Sequence, residues 1–195
     1  MSKPDPAAQK RERHKAIRWV VTIFLVTIVI SGTISLLSDI IMENSSMVVA
    51  FLILLAIIFI GILFDVIGMA VASADEKPFH SMAARKVPGA AEAIGLLRNA
   101  ERVSSICNDV VGDICGVVSG SASATIAAQI LANFHMTWPE VVSLAMSALA
   151  AGLTVGGKAI GKSFAVNSST AIVHMVGRLL YWLHHLPDLF RKKKK

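Results

Sequence analysis

Residues 47–64 read MVVAFLILLAIIFIGILF and contain no charged residue. A helix needs about 17–25 mostly apolar residues to cross the roughly 30 Å hydrocarbon core of a bilayer. Three more stretches are uncharged over comparable lengths, namely Trp19–Leu37, Ile114–Phe134 and Val141–Gly157. The sequence therefore predicts an all-α integral membrane protein with four transmembrane helices, here called spans one to four in chain order.

The composition favours the same fold class. Of the 195 residues, 54% are hydrophobic and 16% are charged, whereas soluble domains carry about 25% charged residues. The first span follows a basic segment, as a signal peptide would. Its apolar run is too long for that, and no A-x-A-like cleavage site follows it, so we interpret it as a retained transmembrane helix.

The basic residues alternate between the connecting segments. Six Lys and Arg precede the first span, five lie in residues 74–105 and eight follow Gly157, whereas residues 38–46 and 135–140 contain none. The positive-inside rule then places both termini and the middle segment in the cytoplasm. We expect a multi-pass protein of the cell (plasma) membrane, whose basic ends also attract anionic lipid. Nucleic-acid binding is not expected, because no aromatic-studded basic surface accompanies the charges.

This topology divides the chain into a basic cytoplasmic segment (1–18), a first helix with its external loop (19–46) and the remaining domain (47–195). In residues 74–105, the Val87-Pro88-Gly89 turn predicts two short cytoplasmic helices. Residues 167–195 form a basic amphipathic tail, with Tyr181 and Trp182 as interface anchors. These two segments are the predicted cytoplasmic juxtamembrane helices.

Small residues recur every four positions in two spans. They are Gly112, Gly116 and Gly120 near the third span and Ala148, Gly152 and Gly156 in the fourth. Small residues at this spacing let helix backbones approach closely in lipid. We expect these helices to touch each other, or one of them to meet a second subunit.

Residues 156–163 read GGKAIGKS, which matches the phosphate-loop pattern with Lys162 and Ser163 in the phosphate and Mg²⁺ positions. A phosphate loop follows a buried β-strand and opens a helix. The preceding residues, SLAMSALAAGLTV, are instead typical of a membrane helix. We therefore interpret the match as accidental and expect neither nucleotide binding, nor a cofactor, nor an enzymatic activity.

Ionisable residues in or near the spans are the candidate functional site. Asp65 and Lys158 each lie about 27 Å along their helices, counted from the predicted outer ends, and Asp113 and Asp109 lie near the start of the third span. Lys158 alone is long enough to snorkel to the headgroups. A buried Asp costs on the order of 3 kcal/mol unless it is paired or hydrated, which makes Asp65 a functional candidate with Lys158 as its partner.

Four segments resemble a known domain in their order and in most of their spacings: FDVIGMAVAS, MAARKVPGAAEAIGLLRNAER, GDICG and GKAIGK. Together they cover about 130 residues and resemble the transmembrane domain of the cyclin M / CorC family of Mg²⁺ and Co²⁺ efflux proteins. That domain has three spans, so the first helix of this chain is an addition. The family's regulatory nucleotide-binding domain pair is expected to be absent, since the sequence ends at RKKKK.

The resemblance implies a homodimer in the lipid bilayer and a central cation site. At the matching positions, the family's Ser is Asp65, its Asn is Asp113 and its last Glu is Lys158. We therefore hypothesise that the Lys158 ammonium occupies the cation position and pairs with both Asp65 and Asp113, which are also the candidate metal ligands. The additional polar or close-packing positions are Asp109, Gly112, Gly116, Gly120, Gly157 and Lys162.

Two functions follow from this hypothesis. The first is ion transport through an altered site, with a divalent cation, Na⁺ or a proton as the ion. The second is a non-transporting membrane scaffold or accessory subunit that keeps a degenerate cation site.

Overall fold

The computed structural model describes residues 6–43, 45–134 and 138–191, and all secondary structure in these ranges is helical. The helices are α1 Pro6–Glu43, α2 Met47–Ser73, α3 Lys77–Ala84, α4 Ala90–Arg98, α5 Ala100–Ser105, α6 Asp113–Asn133, α7 Pro139–Asn167 and α8 Ser169–Arg191. A π-helical segment, Ile106–Gly112, joins α5 to α6 without a break.

Four helical stretches are long and apolar enough to span a membrane: Ile17–Met42, Met47–Ser73, Ala100–Asn133 and Pro139–Asn167. They coincide with the four predicted spans and confirm the all-α fold, and their length and composition are consistent with a multi-pass membrane protein. The third stretch is longer than expected at 34 residues. Helix α5 and the π-helical segment continue directly into α6, so residues 100–105 belong to this span and not only to the preceding connection.

Helices α2, α6 and α7 all pack against one another. Ile62 of α2 lies against Gly157 of α7, so these two helices run parallel through the same register. Gly61 of α2 faces Cys115 of α6, whereas Leu54 packs near the far end of α6, so α2 and α6 run antiparallel. The chain thus runs up and down through the bundle in alternation, as four consecutive spans require.

Helix α1 packs on the outer side of α6 and runs parallel to it. The Ser121 hydroxyl donates to the Asp39 carboxylate over 3.2 Å, and the Gln129 amide donates to the Met42 carbonyl over 2.8 Å. Polar contacts of this kind hold transmembrane helices together in lipid, where apolar contact alone gives little preference for a partner helix.

The short helices α3 and α4 and the longer helix α8 lie around the C-terminal end of α2. A buried apolar cluster joins them to α2 and α7: Ala70, Val71, Phe79, Ala93, Leu97, Ala165, Ile172 and Val173. Trp19 of α1 and Arg102 of α5 are in contact at this same end of the bundle, so α1 enters the bundle here too. We call it the α8 end.

The turn between α3 and α4 lies at the predicted Val87-Pro88-Gly89 position. Gly89 has φ of +86°, a conformation that favours glycine. Its backbone also touches that of Gly177 and Arg178, so a side chain at this position would strike α8. Helices α4 and α8 therefore cross at a glycine-to-glycine contact.

Helix α8 is amphipathic, as predicted for the tail. One face packs into the apolar cluster through Ile172 and Val173. A neighbouring face exposes large apolar side chains: Met175, Leu179, Trp182 and Leu183. Amphipathic helices with an exposed face of this composition lie in the interface of a bilayer.

Candidate functional site

Asp65 is the most buried ionisable side chain of the described bundle, with 2% of its surface exposed. Its Oδ1 lies 3.4 Å from Lys158 Nζ, and its Oδ2 lies 3.8 Å from Lys162 Nζ. The two lysines are one turn apart on α7 and so reach the carboxylate from the same face of that helix. Lys158 is largely shielded, with 19% of its side chain exposed, whereas Lys162 is 48% exposed.

A third element completes the coordination of the Lys158 ammonium. Its Nζ donates to the carbonyl oxygen of Gly112, at the end of the π-helical segment, over 3.3 Å. A Cβ at position 112 would lie 2.6 Å from Asp65 Oδ1 and 3.2 Å from Lys158 Nζ. The absence of a side chain at Gly112 therefore allows α2, the π-helical segment and α7 to meet at one point.

The charges at this point do not make a divalent metal site. One carboxylate faces two ammonium groups, and a lysine ammonium is a hydrogen-bond donor with no lone pair for a metal. Within residues 6–43, 45–134 and 138–191, no group of three or more His, Cys, Asp or Glu side chains could hold a metal ion. The Lys158 ammonium is instead surrounded by one carboxylate oxygen and one carbonyl oxygen, the same groups that would bind a small cation.

The structure brings Asp65 and Lys158 together and leaves Asp113 out. Asp113 is exposed on α6, because successive residues of a helix are rotated by about 100° and its neighbour Gly112 is the one that faces α2. Asp109 is also exposed and accepts a hydrogen bond of 2.8 Å from the Ser105 hydroxyl. The hypothesis of two carboxylates around one ammonium is therefore corrected to one carboxylate and one backbone carbonyl.

The predicted close packing of glycines holds at Gly112 and at Gly157, which lies against Ile62. It does not hold at Gly116 and Gly120, where an added Cβ would meet no atom of the described residues within 4 Å. A step of four residues turns an α-helix by about 40° beyond a full circle. A stripe that faces α2 at Gly112 has therefore rotated away by Gly120.

The small residues of α7 diverge from the interface in the same way. Neither Gly152 nor Gly156 has a neighbour within 4 Å of an added Cβ. Helices α6 and α7 do pack in one bundle, but they use other faces. The expectation that their small-residue stripes bring them together is wrong for the single chain.

Sequence reasoning missed Asn108, which lies one turn before Gly112 in the π-helical segment. Its Oδ1 is buried against Gly68 of α2 and has no hydrogen-bond partner among the residues that the structure describes, and its Nδ2 donates to the Ser104 hydroxyl over 3.2 Å. Gly68 lies one turn from Asp65 on α2. The spacing of Ser104 and Asn108, four residues apart, was the available signal for this polar contact. Nothing in the sequence indicates the π-helix itself, a form that is common at functional sites.

Residues 156–163 lie entirely inside α7. A phosphate loop needs a strand before its glycines and a helix only after them, so GGKAIGKS does not have that local structure here. Lys162, the lysine of the pattern, instead faces Asp65.

Comparison with protein-family models, with curated proteins and with solved structures finds no match for this chain. The likeness to the cyclin M / CorC domain thus stays a hypothesis that rests on the four quoted segments.

Proposed function

We propose that this protein is an ion transporter of the plasma membrane in which the Lys158 ammonium is a tethered cation at Asp65. The transported ion is a monovalent cation or a proton that competes with Lys158 for the carboxylate. The observation that carries the proposal is the buried Asp65 carboxylate, held between Lys158 and the Gly112 carbonyl at the meeting point of three spans.

Energetics favour a functional role over a purely structural one. A charged side chain inside a membrane costs several kcal/mol and is rarely found without a functional reason. Buried ion pairs add little stability, since apolar residues of similar volume often stabilise a fold as well or better. An Asp–Lys pair at this depth is therefore expected to serve ion binding.

The lysine supplies the exchange step. Its four-carbon stem can swing the ammonium away from Asp65 towards the headgroups, as lysines near membrane surfaces do. Its departure leaves Asp65 Oδ1 and the Gly112 carbonyl free for a small cation or a proton, while Lys162 stays at Oδ2. The return of Lys158 then expels the ion, so the charge next to Asp65 stays compensated throughout.

A polar recess at the α8 end supports an access route. Its volume is about 520 Å³, and its lining includes Glu101, Ser104, Ser105 and Asp109. Ser104 accepts the hydrogen bond of Asn108, and Asn108 touches α2 one turn from Asp65. Carboxylates at the mouth of a recess raise the local concentration of cations, which suits a path towards Asp65.

The orientation that we propose places the α8 end and both termini in the cytoplasm. The alternation of basic residues supports this. So does the position of α1, whose Trp19 lies at the same end of the bundle as Arg102.

The rival function is a membrane scaffold or accessory subunit. One observation favours it: both Asp65 oxygens already face an ammonium, at 3.4 and 3.8 Å, so the pair can also be a fixed link between α2 and α7. In that case no ion moves and the site only joins the two helices.

Flux through the purified full chain in liposomes tests these alternatives. We expect uptake of Na⁺ or protons above that of empty liposomes, loss of this flux in Asp65→Asn, and its retention in the matched control Asp113→Asn, which changes an exposed carboxylate outside the site. Mg²⁺, Mn²⁺ and Co²⁺ should not cross, because Lys158 occupies the site. Divalent flux by the unmodified chain would refute the tethered-cation mechanism. Absence of any flux, with divalent flux appearing in Lys158→Glu, would favour the scaffold.

A further inference from the structure

A second cluster of charged and polar side chains lies between α1 and α5 at the α8 end, away from Asp65. A recess of about 280 Å³ is lined by Arg18, Trp19 and Thr22 of α1 and by Arg102 of α5. Both arginines are exposed, and in the described part of the chain neither forms an ion pair with a carboxylate. Two arginine residues from distant parts of the sequence thus line one small recess.

The Trp19 ring fixes one of these guanidinium groups. Arg102 Cζ lies 5.4 Å from the centroid of the indole ring, within the range of a cation–π contact. A guanidinium over a ring face keeps its N–H groups available at the edge, and those N–H groups match the oxygens of a phosphate in pairs. Arg102 is therefore held in place while its donors stay free.

The recess lies where the headgroups of a bilayer would be. Arg18 directly precedes the uncharged run that begins at Trp19, and Thr22 lies one turn further into that run. Tryptophan is enriched at this level of membrane proteins, at the boundary between hydrocarbon and water. A ligand that reaches both arginines and Thr22 would have its charge at the boundary and its apolar part in the hydrocarbon.

We propose that this recess binds the phosphate of an anionic phospholipid headgroup. Arg18 and Arg102 donate to the phosphate oxygens and the Thr22 hydroxyl adds a third donor, while the acyl chains lie along α1. Basic pockets between helices on the cytoplasmic side are the usual form of such sites. A zwitterionic choline lipid fits poorly, because its ammonium would lie beside two guanidinium groups. The proposal does not depend on ion transport.

Native mass spectrometry of the full chain in detergent tests it, with phosphatidylglycerol, phosphatidylcholine and inorganic phosphate as the probes. We expect one phosphatidylglycerol per chain and no comparable retention of phosphatidylcholine. The Arg18→Gln, Arg102→Gln pair should weaken phosphatidylglycerol binding about tenfold or more, since two charge-assisted contacts are lost. The matched control is the double variant Arg98→Gln, Arg178→Gln, which removes the same charge at exposed positions outside the recess. It should change phosphatidylglycerol binding less than about threefold.

A further variant, Trp19→Leu, keeps both charges but removes the ring under Arg102. We expect it to weaken phosphatidylglycerol binding while the far-UV circular dichroism of all variants stays unchanged. Equal losses in the two arginine pairs would overturn the proposal, as would unchanged binding in Arg18→Gln, Arg102→Gln. Displacement of the lipid by millimolar inorganic phosphate would assign the recess to free phosphate and overturn it too.

Discussion

Removal of the Lys158 ammonium should destabilise the bundle far more than removal of the neighbouring Lys162 ammonium. Lys158→Met leaves the Asp65 carboxylate buried, at 2% exposure, without its nearer partner. Breaking a buried ion pair from one side costs about 3–5 kcal/mol, because the remaining charge is not compensated. Lys162 stays 3.8 Å away, but a half-exposed pair returns at most about 1 kcal/mol. We therefore expect the free energy of unfolding to fall by about 2–5 kcal/mol.

A double-mutant cycle separates this pairing from other effects of the substitution. Asp65→Asn removes the buried charge with little change in volume, so Lys158→Met should cost less than about 1 kcal/mol in that background. The expected coupling energy between the two positions is then about 2 kcal/mol or more, well above the scatter for independent sites. The matched control, Lys162→Met, should cost less than about 1 kcal/mol.

Equilibrium unfolding in mixed micelles, with increasing fractions of sodium dodecyl sulfate, gives the required free energies. Far-UV circular dichroism follows the loss of helix, and tryptophan fluorescence reports on the surroundings of Trp19, Trp138 and Trp182. Equal costs for Lys158→Met and Lys162→Met would refute the reasoning. So would a coupling energy near zero, since the contact of 3.4 Å would then contribute nothing to the fold.

The same unfolding assay tests three more predictions. Gly112→Ala should lower the free energy of unfolding by about 1–2 kcal/mol, because its Cβ would overpack the ion pair. Gly116→Ala, in open space, should raise it by up to about 1 kcal/mol through helix propensity. Equal effects would show that position 112 is not crowded. Gly89→Ala should lower the free energy of unfolding by at least about 2 kcal/mol, because of its left-handed backbone and its clash with α8. Gly95→Ala in α4 should raise it slightly. A gain at both positions would contradict the crossing of α4 and α8. Ser121→Ala should lower the free energy of unfolding by about 1 kcal/mol, because it removes the hydrogen bond that the Ser121 hydroxyl donates to Asp39 of α1. An unchanged unfolding midpoint would mean that this bond contributes nothing.

The four spans could be predicted from sequence because hydropathy over a stretch such as 47–64 is a local property. A chain that is uncharged for eighteen residues has few alternatives to a membrane helix. The turn at Gly89 was predictable for a similar reason, since proline and glycine restrict the backbone at their own positions. The Asp65–Lys158 pair followed from counting both residues to a similar depth.

The rest of the site depends on rotation about helix axes, which hydropathy does not encode. A π-helical segment shifts the faces of all residues beyond it relative to a regular α-helix. Asp113 is a stronger candidate than Gly112 by residue type, yet a rotation of about 100° decides which of them meets α2. Asn108 was missed because its partner, Gly68, offers no chemical signal in the sequence.

Two polar side chains of the bundle, Asp65 and Asn108, each lie against a glycine of the facing helix. Asp65 of α2 lies against Gly112 of the π-helical segment, and Asn108 of that segment lies against Gly68 of α2. This reciprocal arrangement brings the two backbones close together and leaves no room for either helix to rotate without a clash. The movable members of the site are therefore the lysine side chains of α7. If an ion replaces Lys158 at Asp65, the ammonium should move while α2 and the π-helical segment keep their contact.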